Sequence, residues 1–320
     1  MTGPHGVVPI LIDCDTGIDD ALALLYAAAH GADLRACTVT HGNVPVPAGA
    51  RNTLTVLDVA GLDTVPVHTG ATRPLAQPLD VAHHVHGEDG LGDAGVTWSP
   101  RSPAGDLAPA EIVRLARAHP GELTLVAIGP LTNLGIALLL EPRLPELVDR
   151  VVVMGGAVGV PGNVTEYGEA NVWHDPEAAQ LVVDAAWDVV FVGLETTMPH
   201  PMSPDVLRRI EAGTDPRARF AWAILQCYLD FYEERLGVRS CVPHDALAVA
   251  VALDPELATY RTVPAFVETG RGPTRGTLVA DLRPGSADAG ADATAAGIIR
   301  IVETFDIDTF HERLLKSLGA

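Results

Sequence analysis

The chain has 320 residues, 48% hydrophobic and 19% charged, which is enough apolar material for a large core and argues against a disordered segment. Acidic residues outnumber basic ones 41 to 21, and a net charge of −20 excludes a nucleic-acid partner and disfavours an anionic membrane surface, since both need a basic face. The four cysteines form no C-x-x-C pair, no leader-like start is visible and no apolar run reaches membrane-spanning length, so a cytoplasmic protein is expected.

Short β-branched runs alternate with longer helical patterns. Residues 7–13 (VVPILID) read as a strand and 19–30 as a helix closed by Gly31. A strand over 34–41, a helix over 48–60 and a short strand near 65–68 follow. Residues 70–107 are rich in Gly, Pro and His and exceed ordinary connection lengths, which predicts a functional loop or lid. Next come a helix over 110–119, a strand over 122–128, a helix over 131–141, a strand over 150–154, a helix over 175–186 and a strand over 188–193. Helical segments dominate through 253, residues 262–282 read as two strands about a Gly/Pro turn, and 306–318 closes the chain as a helix.

This alternation, with fully apolar strands, predicts an α/β fold: an open, mostly parallel, Rossmann-like sheet flanked by helices, with a C-terminal helical and small β elaboration. No linker divides the chain, so residues 1–320 are expected to form a single domain.

The polar motifs gather at the expected strand ends. "DCDTGIDD" packs Asp13, Asp15, Asp19 and Asp20 around Gly17. Helix capping accounts for one or two such acids, but four, two of them ending a buried strand, call for a counter-charge. Oxygen ligands alone suit Ca²⁺ or Mg²⁺, though the spacing is not that of an EF-hand. A second acid, Asp245, sits beside His244 where an apolar helix begins, and the sheet topology can bring it to the first strand. A Gly-rich loop offers Asn163, Glu169 and Asn171, groups suited to sugar hydroxyls. Asn43 follows the second strand, and the Gly-Pro turn after 128 can aim the Ile128 carbonyl into a site. Ligands of open parallel sheets bind outside the carboxyl ends of the strands, where all five motifs fall or nearly fall. "GLGDAG" (90–95) matches a dinucleotide fingerprint in form only, since it follows no strand and opens no helix. The better reading of its surroundings is a His-bearing lid that brings His86 to the site.

Taken in order, "DCDTGIDDALALL", "HGN", "VHGEDG", "IGPLTN", "MGG", "GNVTEYGEAN", "DPEAA" and "HDALAV" resemble the inosine-uridine-preferring nucleoside hydrolases over about residues 9–318. The resemblance implies calcium-dependent hydrolysis of the N-glycosidic bond of ribonucleosides. Asp15, Asp20, Asp245 and the Ile128 carbonyl would hold Ca²⁺, and Asp15 would also act as general base on the metal-bound water. Asp19, Asn43, Asn163, Glu169 and Asn171 would bind ribose hydroxyls, and Met154 would line the ribose pocket. His244 would face the leaving base as proton donor, while His86, Tyr228 and Tyr232 would close over it. A homodimer or homotetramer is also implied. Two positions depart from the family pattern: Thr16 stands where proline is common, and Ala170 where a bulky aromatic is common, which removes one wall of the pocket.

Two rival readings are a haloacid-dehalogenase-like phosphatase, from the D-x-D start, and a non-catalytic nucleoside- or ribose-binding protein. The first needs a downstream lysine, and the only lysine is Lys316, four residues from the end. The second leaves Asp15 and the cation set without a task.

Overall fold

The computed structural model describes residues 8–105, 107–286 and 292–320. Its strands are β1 (Pro9–Cys14), β2 (Asp33–Val39), β3 (Val67–Thr69), β4 (Leu123–Ala127), β5 (Val148–Met154), β6 (Val189–Val192), β7 (Ala258–Val267), β8 (Leu278–Ala280) and β9 (Ile298–Phe305). The helices of the first half are α1 (Ile18–Ala29), α2 (Val46–Val59), α3 (His83–His86), α4 (Ala108–Ala118), α5 (Thr132–Leu140) and α6 (Leu144–Leu147). The second half adds α7 (Ala170–His174), α8 (Pro176–Asp184), α9 (Leu194–Thr197), α10 (Pro204–Ala212), α11 (Pro216–Leu236), α12 (His244–Leu253) and α13 (Ile307–Leu318).

The sheet runs β3-β2-β1-β4-β5-β6-β9-β7-β8. Neighbours are parallel from β3 through β9, while β7 lies antiparallel to β9 and β8 antiparallel to β7. The α/β expectation holds, and the strands up to β6 and the longer helices between them fall on the expected segments, while the short helices α3, α6 and α7 were not foreseen. The C-terminal third needs a correction. β9 was not anticipated, and it inserts between β6 and β7, which makes the small β elaboration continuous with the main sheet. Among the described residues no helix is long and apolar enough to cross a membrane.

Strand alternation divides the core in two. Ile10, Ile12 and Cys14 of β1, Val126 of β4 and Val152 and Met154 of β5 face one layer, which holds α1, α2, α12 and α13. Leu11, Leu125, Val151 and Val153 face the other, which holds α4, α5 and α8. Both faces are covered, which is why these strands read as continuous apolar runs.

The order 3-2-1-4-5-6 reverses direction between β1 and β4. That is the topological switch point, where a crevice opens at the strands' carboxyl ends. Helices α1 and α12 pack against each other beside it. Leu22 and Leu25 of α1 and Leu247 and Val251 of α12 are buried, each contributing roughly 1.5–3 kcal/mol. This packing fixes the start of α12 against the start of α1, although the two are far apart in sequence.

Candidate active site

The site begins where β1 ends. Gly17 is the N-cap of α1 and has no side chain to cap with. Asp20 does that work from the third helical position. Its Oδ2 accepts from the Gly17 N–H (2.8 Å) and the Asn43 side-chain amide (3.1 Å), and its Oδ1 accepts from the Asp15 N–H (3.2 Å). The next helix N–H, of Ile18, donates to His86 Nδ1 (3.1 Å). A Cβ on Gly17 would stand 2.6 Å from His86 Nδ1 and 2.7 Å from Asn43 Nδ2, so glycine is required here by space. Gly42 has φ +153°, and a Cβ there would reach 2.0 Å from Asp15 Oδ2.

Carboxylate oxygens of Asp19, Asp20 and Asp245 all lie within 4.8 Å of one another, and the three residues are buried. Asp15 adjoins them. Its Oδ2 accepts from the Asn43 N–H (2.6 Å), while its Oδ1 is buried without a partner, as is Asp19 Oδ1. Burial, reinforced by the charge of Asp20, pushes the Asp15 carboxyl well above the ordinary range and Asp19 up to about 8. Burial and then the charges of Asp19, Asp20 and Asp15 do the same to Asp245, and burial raises Asp20. Four acids held this way, with two oxygens orphaned, suit a cation: positive charge among them relieves both the burial and the repulsion.

The expected cation set was Asp15, Asp20, Asp245 and the Ile128 carbonyl. The structure brings Asp19 within the same 4.8 Å of Asp20 and Asp245, with Asp15 beside Asp20. Asp13 stands apart. Its Oδ1 accepts from Thr38 Oγ1 (2.6 Å) and Asn133 Nδ2 (2.8 Å), so it ties β1 to β2 and α5.

The next wall comes from the loop after β5. Glu169 caps α7. Its Oε1 accepts from the Asn171 N–H (2.9 Å), and its Oε2 from the N–H groups of Gly156 (2.9 Å) and Val172 (3.1 Å). Burial still raises its carboxyl to about 7. Asn171 Nδ2 donates to the carbonyls of Ile128 and Met154, both at 3.0 Å. That bridges the ends of β4 and β5 and leaves the Asn171 side-chain oxygen as an acceptor. Asn163 Oδ1 accepts from the Ala170 N–H (2.9 Å), leaving its amide protons to donate outward.

Aromatic groups form the opposite wall. Tyr228 donates to Asp19 Oδ2 (3.3 Å) and stacks on His86, with ring centroids 5.5 Å apart. Tyr232 meets Tyr228 edge-on at 5.0 Å, and its hydroxyl lies 2.8 Å from His244 Nε2. Burial holds both His86 and His244 down to about 3, so both rings are neutral near pH 7. His86 arrives from the 70–107 segment, as expected, and is buried. Sequence reasoning missed Thr197, whose Oγ1 lies 2.7 Å from His244 Nδ1. Its one signal was a polar residue just past a strand's carboxyl end.

The whole is an α/β enzyme site. A carboxylate cluster fit for a cation lies at the switch point of a doubly wound sheet, with the polar side chains of Asn163, Glu169 and Asn171 on one side and an aromatic wall on the other. The family model "Inosine-uridine preferring nucleoside hydrolase" matches residues 10–312, and the chain belongs to that family. It is 40% identical over 282 residues to the inosine-uridine preferring nucleoside hydrolase of Leishmania major, covering 86% of this chain and 88% of the relative. It is 37% identical over 280 residues to the enzyme of the same name from Crithidia fasciculata, with the same coverage of 86% and 88%. A solved plant nucleoside hydrolase superposes with a TM-score of 0.92 at 30% identity, covering 98% of this chain and all of the other.

Proposed function

We propose that this ribonucleoside N-glycosyl hydrolase is calcium-dependent and uses Asp15 as its general base. The convergence of Asp19, Asp20 and Asp245 within 4.8 Å, beside an Asp15 oxygen that lacks any partner, is the observation that carries the reading.

Asp15, Asp20, Asp245 and the Ile128 carbonyl would hold the ion, a set of oxygen donors that matches a hard cation. Bound Ca²⁺ would supply the positive charge that balances the carboxylates and makes a nearby water more acidic. Asp15 takes the water's proton on its unpartnered Oδ1, while the Asn43 N–H steadies its Oδ2 at 2.6 Å. Asp19 Oδ1 is free to accept from a ribose hydroxyl. Glu169 and Asn171 add acceptors, Asn43 and Asn163 add donors, and Met154 fills the floor beneath the sugar. The cleaved sugar becomes oxocarbenium-like, and the carboxylates around it favour that charge. His86, Tyr228 and Tyr232 enclose the base, and His244 serves its departure through the Tyr232 hydroxyl, which its Nε2 meets at 2.8 Å. Ala170 leaves one side of that enclosure open.

The phosphatase rival has little support, since Lys316 lies exposed on α13 and Asp13 is bound to Thr38 and Asn133. A ligand-holding protein without turnover would not need an acid with a free oxygen beside the cation set. A single domain over residues 1–320 is supported by the return of β9 into the sheet. A cytoplasmic location is supported by the free thiols, and a homodimer or homotetramer by the family likeness alone.

The test is release of ribose from inosine and uridine by protein stripped of metal and then given Ca²⁺. Calcium-restored release supports the proposal. Full activity in protein shown by elemental analysis to hold no divalent metal overturns it.

A further inference from the structure

Thr197 is fully buried at the end of α9, the short helix that follows β6. Its Oγ1 meets His244 Nδ1 at 2.7 Å, on the far side of the ring from Tyr232, whose hydroxyl meets Nε2 at 2.8 Å. Tyr232 packs edge-on against Tyr228, which donates to Asp19. A continuous run of side chains therefore links α9, α12, α11 and α1, from the end of β6 to the carboxylate cluster. No mechanistic role has so far fallen to Thr197.

A neutral imidazole donates from one nitrogen and accepts at the other. Here each nitrogen faces a hydroxyl that can do either, so the hydroxyls decide the tautomer. If Tyr232 donates to Nε2, its proton is turned away from the pocket and His244 points its own N–H at Thr197. If Thr197 donates to Nδ1, the ring carries its proton on Nε2 and donates to the Tyr232 oxygen. The Tyr232 O–H is then free to point at a ligand. Only the second arrangement presents a donor to a base that becomes more basic as its glycosidic bond breaks.

We propose that Thr197 is a positioning residue for departure of the base: its hydroxyl donates to His244 Nδ1, holds the Nε2–H tautomer, and so aims the Tyr232 O–H at the leaving group. This rests on the nucleoside-hydrolase reading of the site. Among the described residues the Thr197 hydroxyl hydrogen-bonds only to His244, and to none of the carboxylates or the groups assigned to the sugar, so its effect is confined to substrates whose leaving group needs a donor.

The experiment compares Thr197→Val, a near-isosteric change without the hydroxyl, with Thr197→Ser, which keeps it. Each is assayed on inosine and uridine and on 4-nitrophenyl β-D-ribofuranoside, whose phenolate departs without a proton. The expected result is a kcat roughly 10–100-fold lower for Thr197→Val on the nucleosides, the loss of one oriented hydrogen bond. KM should stay nearly constant, the nitrophenyl riboside should change by less than about threefold, and Thr197→Ser should restore most of the nucleoside rate. Parallel loss on both substrate types, or nucleoside turnover within threefold of wild type, overturns the proposal. Should Thr197→Val not fold, Thr197→Ala gives the same comparison. Failure of the wild type to cleave any of the three ribosides would instead sink the reading of the site itself.

Discussion

Replacing Asp245 by Asn should move stability in opposite directions with and without calcium. Asp245 shares a space of 4.8 Å with Asp19 and Asp20. Two unit charges at that separation repel by about 3–4 kcal/mol at an effective dielectric constant of 20. Asp245→Asn removes two such pairs. Partial protonation of the raised acids already relieves part of the repulsion, so the gain in the metal-free protein is about 2–4 kcal/mol, or several degrees in melting temperature. Calcium reverses the ranking. At 1,000 times its Kd an ion adds about 4.1 kcal/mol to a protein that binds it, and the variant, having lost a ligand, forgoes most of that. The assay is thermal melting of both proteins in EDTA and in graded Ca²⁺. A variant that melts below wild type in EDTA, or whose melting point rises with Ca²⁺ as steeply as that of wild type, would refute the reasoning.

Asp15→Asn keeps an acceptor for the Asn43 N–H, so the fold should persist while kcat on inosine falls by roughly 10²–10⁴, as read by ribose release; turnover within threefold of wild type would remove Asp15 from the base role. The Glu169 carboxyl, raised by burial from its usual 4.5 to about 7, binds protons more tightly folded than unfolded. Its contribution to stability therefore declines by roughly 3 kcal/mol as pH rises from about 4.5 to 7 and then levels. Melting of the chelated protein across pH 4.5–8 should show that decline, less steeply in Glu169→Gln; equal slopes would count against it. Asn133→Ala strips Asp13 of one of its two side-chain donors and leaves the Ala71 N–H without its 2.8 Å acceptor. That should cost about 2–4 kcal/mol in urea unfolding, and a cost under 1 kcal/mol would show that the β1–β2–α5 tie matters little.

Much of this was legible from the chain alone, for identifiable reasons. Continuous apolar runs separated by helical periods are what a doubly covered parallel sheet requires, so β1 to β6 could be read in order. Gly17 and the acids around it are local: the cap of the Gly17 N–H by Asp20 is a consequence of one turn. Asp245 could be placed by topology, because the sheet rule sends helix starts to the same edge. What escaped reading depends on distant pairing. β9 is an unremarkable alternating run until β6 and β7 are known to flank it. Asp13 could be read as a support for its neighbours, but the partners that make it a tie between elements, Thr38 and Asn133, could not. Asp19 was expected to serve the sugar, and only the approach of α12 to α1 brings its carboxylate within 4.8 Å of those of Asp20 and Asp245. Thr197 carries no local pattern, since its meaning comes from an imidazole that the chain reaches 47 residues later.

The most direct test of the account is a count of products from purified, calcium-loaded protein given inosine and uridine, with p-nitrophenyl phosphate in parallel. The account predicts equimolar ribose and free base from the nucleosides and no release of nitrophenol from the phosphate ester. Nucleoside that is bound but recovered intact, or phosphate-ester hydrolysis without ribose release, would contradict it.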